Sequence, residues 1–147
     1  MIGHELREFV DCVLESREIT AVDLKMLQQD VLGEDLITRE VIDVLVALDR
    51  AIKNQAPGWA DYLVALTVDF AVWTSRPTGI IDRDAAHWLV TTLSAGGGPT
   101  PTALRIAFEI VREADGCDEA LLTFAMREGG AGARRASTVQ DLVLLAS

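Results

Sequence analysis

Asp84 and His87 stand three residues apart in "DRDAAHWL", with Asp82 just ahead of them. On a helix that spacing puts two side chains on one face, where they could ligate a metal ion or pass a proton. Such a site needs a further ligand from elsewhere in the chain, and none is legible. The simpler reading makes Asp82 and Asp84 acids of the first turn, favoured by the helix dipole, with His87 partly exposed beside them. A second candidate is Asp69 in "PGWADYLVALTVDFAVWT", residues 57–74. Asp61 complements the start of that helix, but Asp69 lies deep in an apolar stretch, where an ionised carboxylate is costly unless solvated or paired. It can face outward on a solvated stripe, pair with Arg76, Arg83 or Arg105, or serve as the acid of a binding pocket. His4 and Glu8 share a face near the N-terminus, and Cys12 and Cys117 fit no CxxC or zinc spacing, reading as reduced thiols. There is no GxSxG, and "SAGGGPT" lacks the lysine and preceding strand of a phosphate loop. We therefore expect no catalytic set and no cofactor.

Two further stretches invite a calcium reading: "GEDLITREVIDVL", residues 33–45, and "PTGIIDRDAAHWL", residues 77–89. A calcium loop of the EF-hand type supplies oxygens from positions 1, 3, 5, 7 and 12, has glycine at 6 and carries an apolar residue at 8. With Ile37 at position 8, positions 1, 3, 5 and 12 are Asp30, Leu32, Glu34 and Val41, and Asp35 replaces the glycine. With Ile81 there, the same positions are Thr74, Arg76, Thr78 and Ala85, and Gly79 holds the turn. Aliphatic side chains and an arginine cannot assemble the oxygens that calcium requires. The helix–loop–helix shape is expected, the ion is not.

The elements that would position these residues are helices. Thr20, Thr38, Asp82 and Thr100 each precede an apolar pattern of period 3.6 and are suited to cap it, and Pro101 follows Thr100 at the first helical position. The pattern predicts helices over 3–15, 20–32, 38–54, 57–74, 82–94, 100–114, 118–128 and 138–146, with strand signals nearly absent. At 147 residues and 50% apolar composition the chain is expected to be one all-α domain, a bundle of seven to eight helices. The helical domain spans 1–128. Residues 129–147 read as a small-residue linker followed by a helix that docks through Leu142 and Val143, because so short an apolar helix is not stable alone.

The caps also show a repeat. Thr20 and Thr38 have the same separation as Asp82 and Thr100, and the second pair lies 62 residues after the first. Leu24, Leu27, Val31, Ile42, Val44 and Leu48 correspond in this way to Ala86, Leu89, Leu93, Leu104, Ile106 and Ile110. The halves, about 18–54 and 80–116, are expected to be pseudo-equivalent units packed face to face.

The segments "LITREVIDVLVAL" and "GIIDRDAAHWLV" resemble the repeated corners of bacterial TerB-like domains of tellurite-resistance clusters, and the degenerate EF-hand-like corners of other bacterial helical proteins. The resemblance covers roughly residues 18–114. It implies a helical domain associated with stress-response and membrane-linked metal-sensing systems, in which acidic residues bind cations. The chain departs from that pattern: it keeps the acidic pair only in part, as Glu34 and Asp35, and replaces it by Thr78 and Gly79 in the second corner, so metal sensing is not carried over.

A net charge of −10, with thirteen basic residues scattered along the chain, speaks against nucleic acid and anionic lipid as partners. The N-terminus reads as an amphipathic helix rather than a signal peptide, and the longest uncharged run contains "GGGPTP", which no membrane span tolerates. A cytoplasmic protein is expected. The apolar helix 57–74 asks for cover from a core or a partner, through Trp59, Leu66, Phe70 and Trp73. These features lead us to expect a non-enzymatic interaction module that self-associates or binds another protein. The alternative is a metal- or small-molecule-responsive domain of TerB-like type centred on Asp82, Asp84, His87 and Asp69.

Overall fold

The computed structural model describes residues 3–32 and 37–127. Each of the four capping residues does what its position predicts. Thr20 accepts from the Asp23 amide at 3.0 Å while the Asp23 carboxylate accepts from the Thr20 amide at 3.0 Å, a reciprocal box. Thr38, Asp82 and Thr100 accept from the amides of Val41, Ala85 and Ala103 at 3.3, 2.9 and 3.0 Å. Each of these bonds satisfies an amide that the helix cannot pair internally.

The helices are α1 (His4–Ser16), α2 (Ala21–Met26, widening into a π-turn at Leu27–Val31), α3 (Arg39–Ala51), α4 (Trp59–Val68, widening at Asp69–Thr74), α5 (Arg83–Ser94), α6 (Pro101–Glu113) and α7 (119–127). The expected architecture, a single mostly helical domain, is the observed one. Two details differ from the sequence expectation. The third helix stops at Ala51 instead of residue 54, because Ile52 is extended and buried and sends Asn54 and Gln55 into a strand pairing. The fourth starts at Trp59, since Gly58 at φ 98° takes a left-handed conformation open to glycine. The helix predicted over 138–146, with Leu142 and Val143, lies outside the described residues.

Where almost no strand was expected, two short parallel bridges close the helix pairs. Strand β1 (Glu18–Ile19) pairs with β2 (Asn54–Gln55), and β3 (Ile80–Ile81) with β4 (Gly116–Cys117). Both are two residues long, too short to leave an alternation pattern in the sequence. Their registers, Glu18 with Asn54 and Ile80 with Gly116, carry the 62-residue offset of the caps. So do the hydrogen bonds that follow them, from the Ala56 amide to the Ile19 carbonyl and from the Asp118 amide to the Ile81 carbonyl. Each unit therefore runs strand, helix, helix, strand. Helix α4 leaves the first unit and leads into the second, as α1 leads into the first.

Burial follows the offset along most of its length. Ile19 and Ile81, Leu27 and Leu89, Val31 and Leu93, Leu48 and Ile110, and Trp59 and Leu121 are buried pairs. At Ile42 and Val44 the match inverts: Ile42 is buried and Val44 half-buried, while Leu104 is half-buried and Ile106 buried. The two calcium-like corners are not counterparts in this repeat. The counterpart of Ile81 is Ile19 and not Ile37, so one corner lies within a unit, between α2 and α3, and the other joins α4 to α5. In the second corner Gly79 has φ 79°, and a side chain there would press on the Asp115 carboxylate. Residues 33–36, including Glu34 and Asp35, lie outside the described residues.

Candidate functional site

The three weak metal candidates of α5 are directed to three separate tasks. The Asp82 carboxylate caps its own helix. Asp84 reaches across to α3 and pairs with Arg39 at 3.0 Å. His87 is exposed and lines a surface groove of about 600 Å³ with Arg83, Asp118, Glu119, Thr123 and Arg127. Among the described residues no three His, Cys, Asp or Glu side chains come together in a way that could hold a metal ion.

Helix α4 sorts its side chains differently from the all-round burial that its sequence suggests. Trp59 is wholly enclosed by the chain's own core, and Phe70 is buried with its ring edge-on to Trp88 at 5.9 Å. Leu66 is half-buried. Trp73 is 44% exposed and donates its indole N–H to Glu113 at 3.2 Å, so it is not a core residue. Asp69 faces outward at the start of the π-turn, the first of its three readings. Its candidate partner Arg105 pairs instead with Asp61, at 2.9 Å.

The buried acid is one that no motif in the sequence marks. Asp49, on α3, is 5% exposed. One carboxylate oxygen accepts from Trp59 Nε1 at 3.1 Å and from Gln55 Nε2 at 3.0 Å, and the other accepts from the Thr100 hydroxyl at 2.6 Å. Since Thr100 also caps α6, one hydroxyl ties the second unit to the first. In the sequence Asp49 sits in "ALDRA" near a helix end, where an acid reads as solvated. The available signal was the tryptophan ten residues on, an indole N–H that must find an acceptor once buried.

The contact between units is made by α3 and α5. Trp88 donates to Asp43 at 2.8 Å, and the Arg39 guanidinium lies 5.0 Å from its ring centre while also pairing with Asp84. In the last turn of α3, Arg50 donates to the Thr92 carbonyl and packs on Gly96, where φ is 70° and a side chain would collide with its Nε. Arg39, Asp43 and Arg50 thus face Asp84, Trp88 and Thr92 of α5, and the buried Val46 lies on the same side of α3 by helical spacing.

On the outside, large apolar side chains remain uncovered on α2 and α6: Val22 is 70% exposed, Met26 41% and Phe108 54%. Met26 borders a groove of about 370 Å³ between α1 and α2, floored by Phe9, Cys12 and Val31 and rimmed by Glu5, Glu8, Asp23 and Asp30. Phe108 is flanked on its own face of α6 by Arg105 and Arg112. Among the described residues no helix is long and apolar enough to cross a membrane. No protein-family model, no curated protein and no solved structure matches the chain.

Proposed function

We infer that the protein is a non-enzymatic helical interaction module that associates with itself. The observation that carries this reading is the division of labour among its side chains. Of the candidate acids, Asp82 and Asp84 serve a cap and an ion pair of the fold, Asp69 faces outward, and the buried Asp49 is held by hydrogen bonds of the core. Among the described residues the large apolar side chains left exposed include Val22 and Met26, one helical turn apart on α2, and Phe108 on α6, besides Leu14, Trp73, Ile80 and Met126 elsewhere. Burying a fully exposed Val, Met or Phe side chain contributes at most about 1.5–3 kcal/mol, which offsets part of the cost of bringing two chains together, so this group supports an association surface.

Sedimentation velocity on the full chain at rising concentration tests the reading. The weight-average mass should climb above that of one chain. A single species of monomer mass at every concentration would overturn self-association.

A further inference from the structure

We propose that the chain assembles head to tail, the α6 face of one copy docking on the α2 face of the next in the manner in which α3 docks on α5 inside each chain. The proposal rests on the self-association reading and specifies its surfaces. Within one chain the α3 stripe of Arg39, Asp43, Val46 and Arg50 meets α5 through its three polar members, and Val46 is only 2% exposed. The same stripe 62 residues on is Pro101, Arg105, Phe108 and Arg112, and all four, with Phe108 the large apolar one, are exposed on α6 where their α3 counterparts are buried or half-buried. On the partner side, the α5 residues that meet α3 are Asp84, Trp88 and Thr92. Their counterparts on α2 are Val22, Met26 and Asp30, again exposed. Each unit thus offers both halves of the junction. Only one pairing is used internally, and one half is left over at each end.

The leftover halves fit each other residue by residue. The ion pair of Arg39 with Asp84 is replaced on both sides at once, giving Pro101 against Val22, an apolar contact. Trp88, which donates to Asp43, becomes Met26 facing Arg105, whose aliphatic stem can cover it, and on the same side of the helix the buried Val46 becomes the large, exposed Phe108. Arg50, which donates to the Thr92 carbonyl, becomes Arg112 facing Asp30. The charge is complementary over the wider surface, with Arg105 and Arg112 beside Phe108 and Glu5, Glu8, Asp23 and Asp30 around the groove beside Met26. That groove, between α1 and α2, is the first unit's counterpart of the place where Phe70 meets Trp88, and its size suits the Phe108 ring. The pairs of Arg105 with Asp61 and of Arg112 with Glu109 lie at the surface and are easily exchanged. An interface between two different faces of one chain is heterologous, and it propagates until a ring closes or the chain of copies ends.

The test uses two full-length variants at exposed positions, Phe108→Glu and Met26→Lys, each checked for an unchanged melting temperature. Each alone should associate at least about thirty-fold more weakly than the parent, the effect of losing a central anchor. Mixed together they should form a 1:1 dimer and nothing larger, because one retains an intact α2 face and the other an intact α6 face. If the parent associates and either variant still does so with parental affinity, or the mixture stays monomeric, the head-to-tail arrangement is overturned while self-association stands. The chain's own residues 138–146 are the competing occupant of the α6 face. If the parent is monomeric and a full-length Leu142→Asp, Val143→Asp variant associates, the tail covers that face and a second copy does not.

Discussion

Replacing Asp49 by alanine should be among the more damaging substitutions available in this chain. The carboxylate accepts three side-chain hydrogen bonds while 5% exposed. Its partners do not lose equally. Gln55 Nε2 keeps the carbonyls of Ile52 and Asp49, at 2.8 and 3.1 Å, and Thr100 keeps the Ala103 amide and is only half-buried. Trp59 is fully enclosed and, among the described residues, has no other acceptor for its indole N–H. A buried donor left unpaired costs about 1–3 kcal/mol, and the loosened Thr100 contact adds about 1 kcal/mol, for a total of about 2–4 kcal/mol. Asp49→Asn keeps an oxygen toward Trp59 and should cost about 1 kcal/mol, the part owed to Thr100. Urea unfolding followed by circular dichroism measures both, and an unchanged m-value shows that the folded and unfolded states remain comparable. In the double variant with Trp59→Phe, which removes the stranded N–H, the two effects should fall short of additive by about 1–2 kcal/mol. An Asp49→Ala protein within about 0.5 kcal/mol of the parent, the range of ordinary surface changes, would refute the assignment of Asp49 as the hub between the units.

Phe70→Ala should cost about 3–5 kcal/mol by denaturant unfolding, because it removes a buried ring and its edge contact with Trp88, whereas Trp73→Ala should cost much less, since half of that ring already meets water. Thr67→Val should raise stability by about 1 kcal/mol in the same assay, as the Thr67 hydroxyl is buried on α4 without a hydrogen-bond partner and a methyl fills the same space. Alkylation by iodoacetamide at mildly alkaline pH should modify the exposed Cys12 before Cys117. Burial first and the neighbouring Asp118 charge second push the Cys117 thiol up, which leaves it less thiolate at any given pH, and mass spectrometry of the peptides reads the order. Millimolar calcium added after a chelator should leave the melting temperature where it was, since the two corners lack the oxygens to bind it. A rise specific to calcium over magnesium would reverse that reading.

Features that depend on a few neighbouring residues were legible in the sequence. The caps at Thr20, Thr38, Asp82 and Thr100 are local, a side chain closing on an amide three residues ahead, and all four form as the pattern predicts. Helix periodicity is local in the same sense, and the offset that relates Thr20 to Asp82 returns in the strand registers and in the paired burial of Leu27 with Leu89. The missing ligands of the calcium-like loops are likewise a matter of residue type at fixed spacing. Tertiary structure alone decided which charged and aromatic groups are enclosed. Asp49 and Asp69 both lie in apolar helices. Only the approach of Trp59 and Thr100, ten and fifty-one residues away, buries the first, while the second faces outward. Val46 and Phe108 occupy the same place in two equivalent helices, yet one is buried and the other is exposed. Periodicity states that a helix has an apolar side. What lies against that side is set by distant parts of the chain, or by another molecule, and no local pattern encodes it.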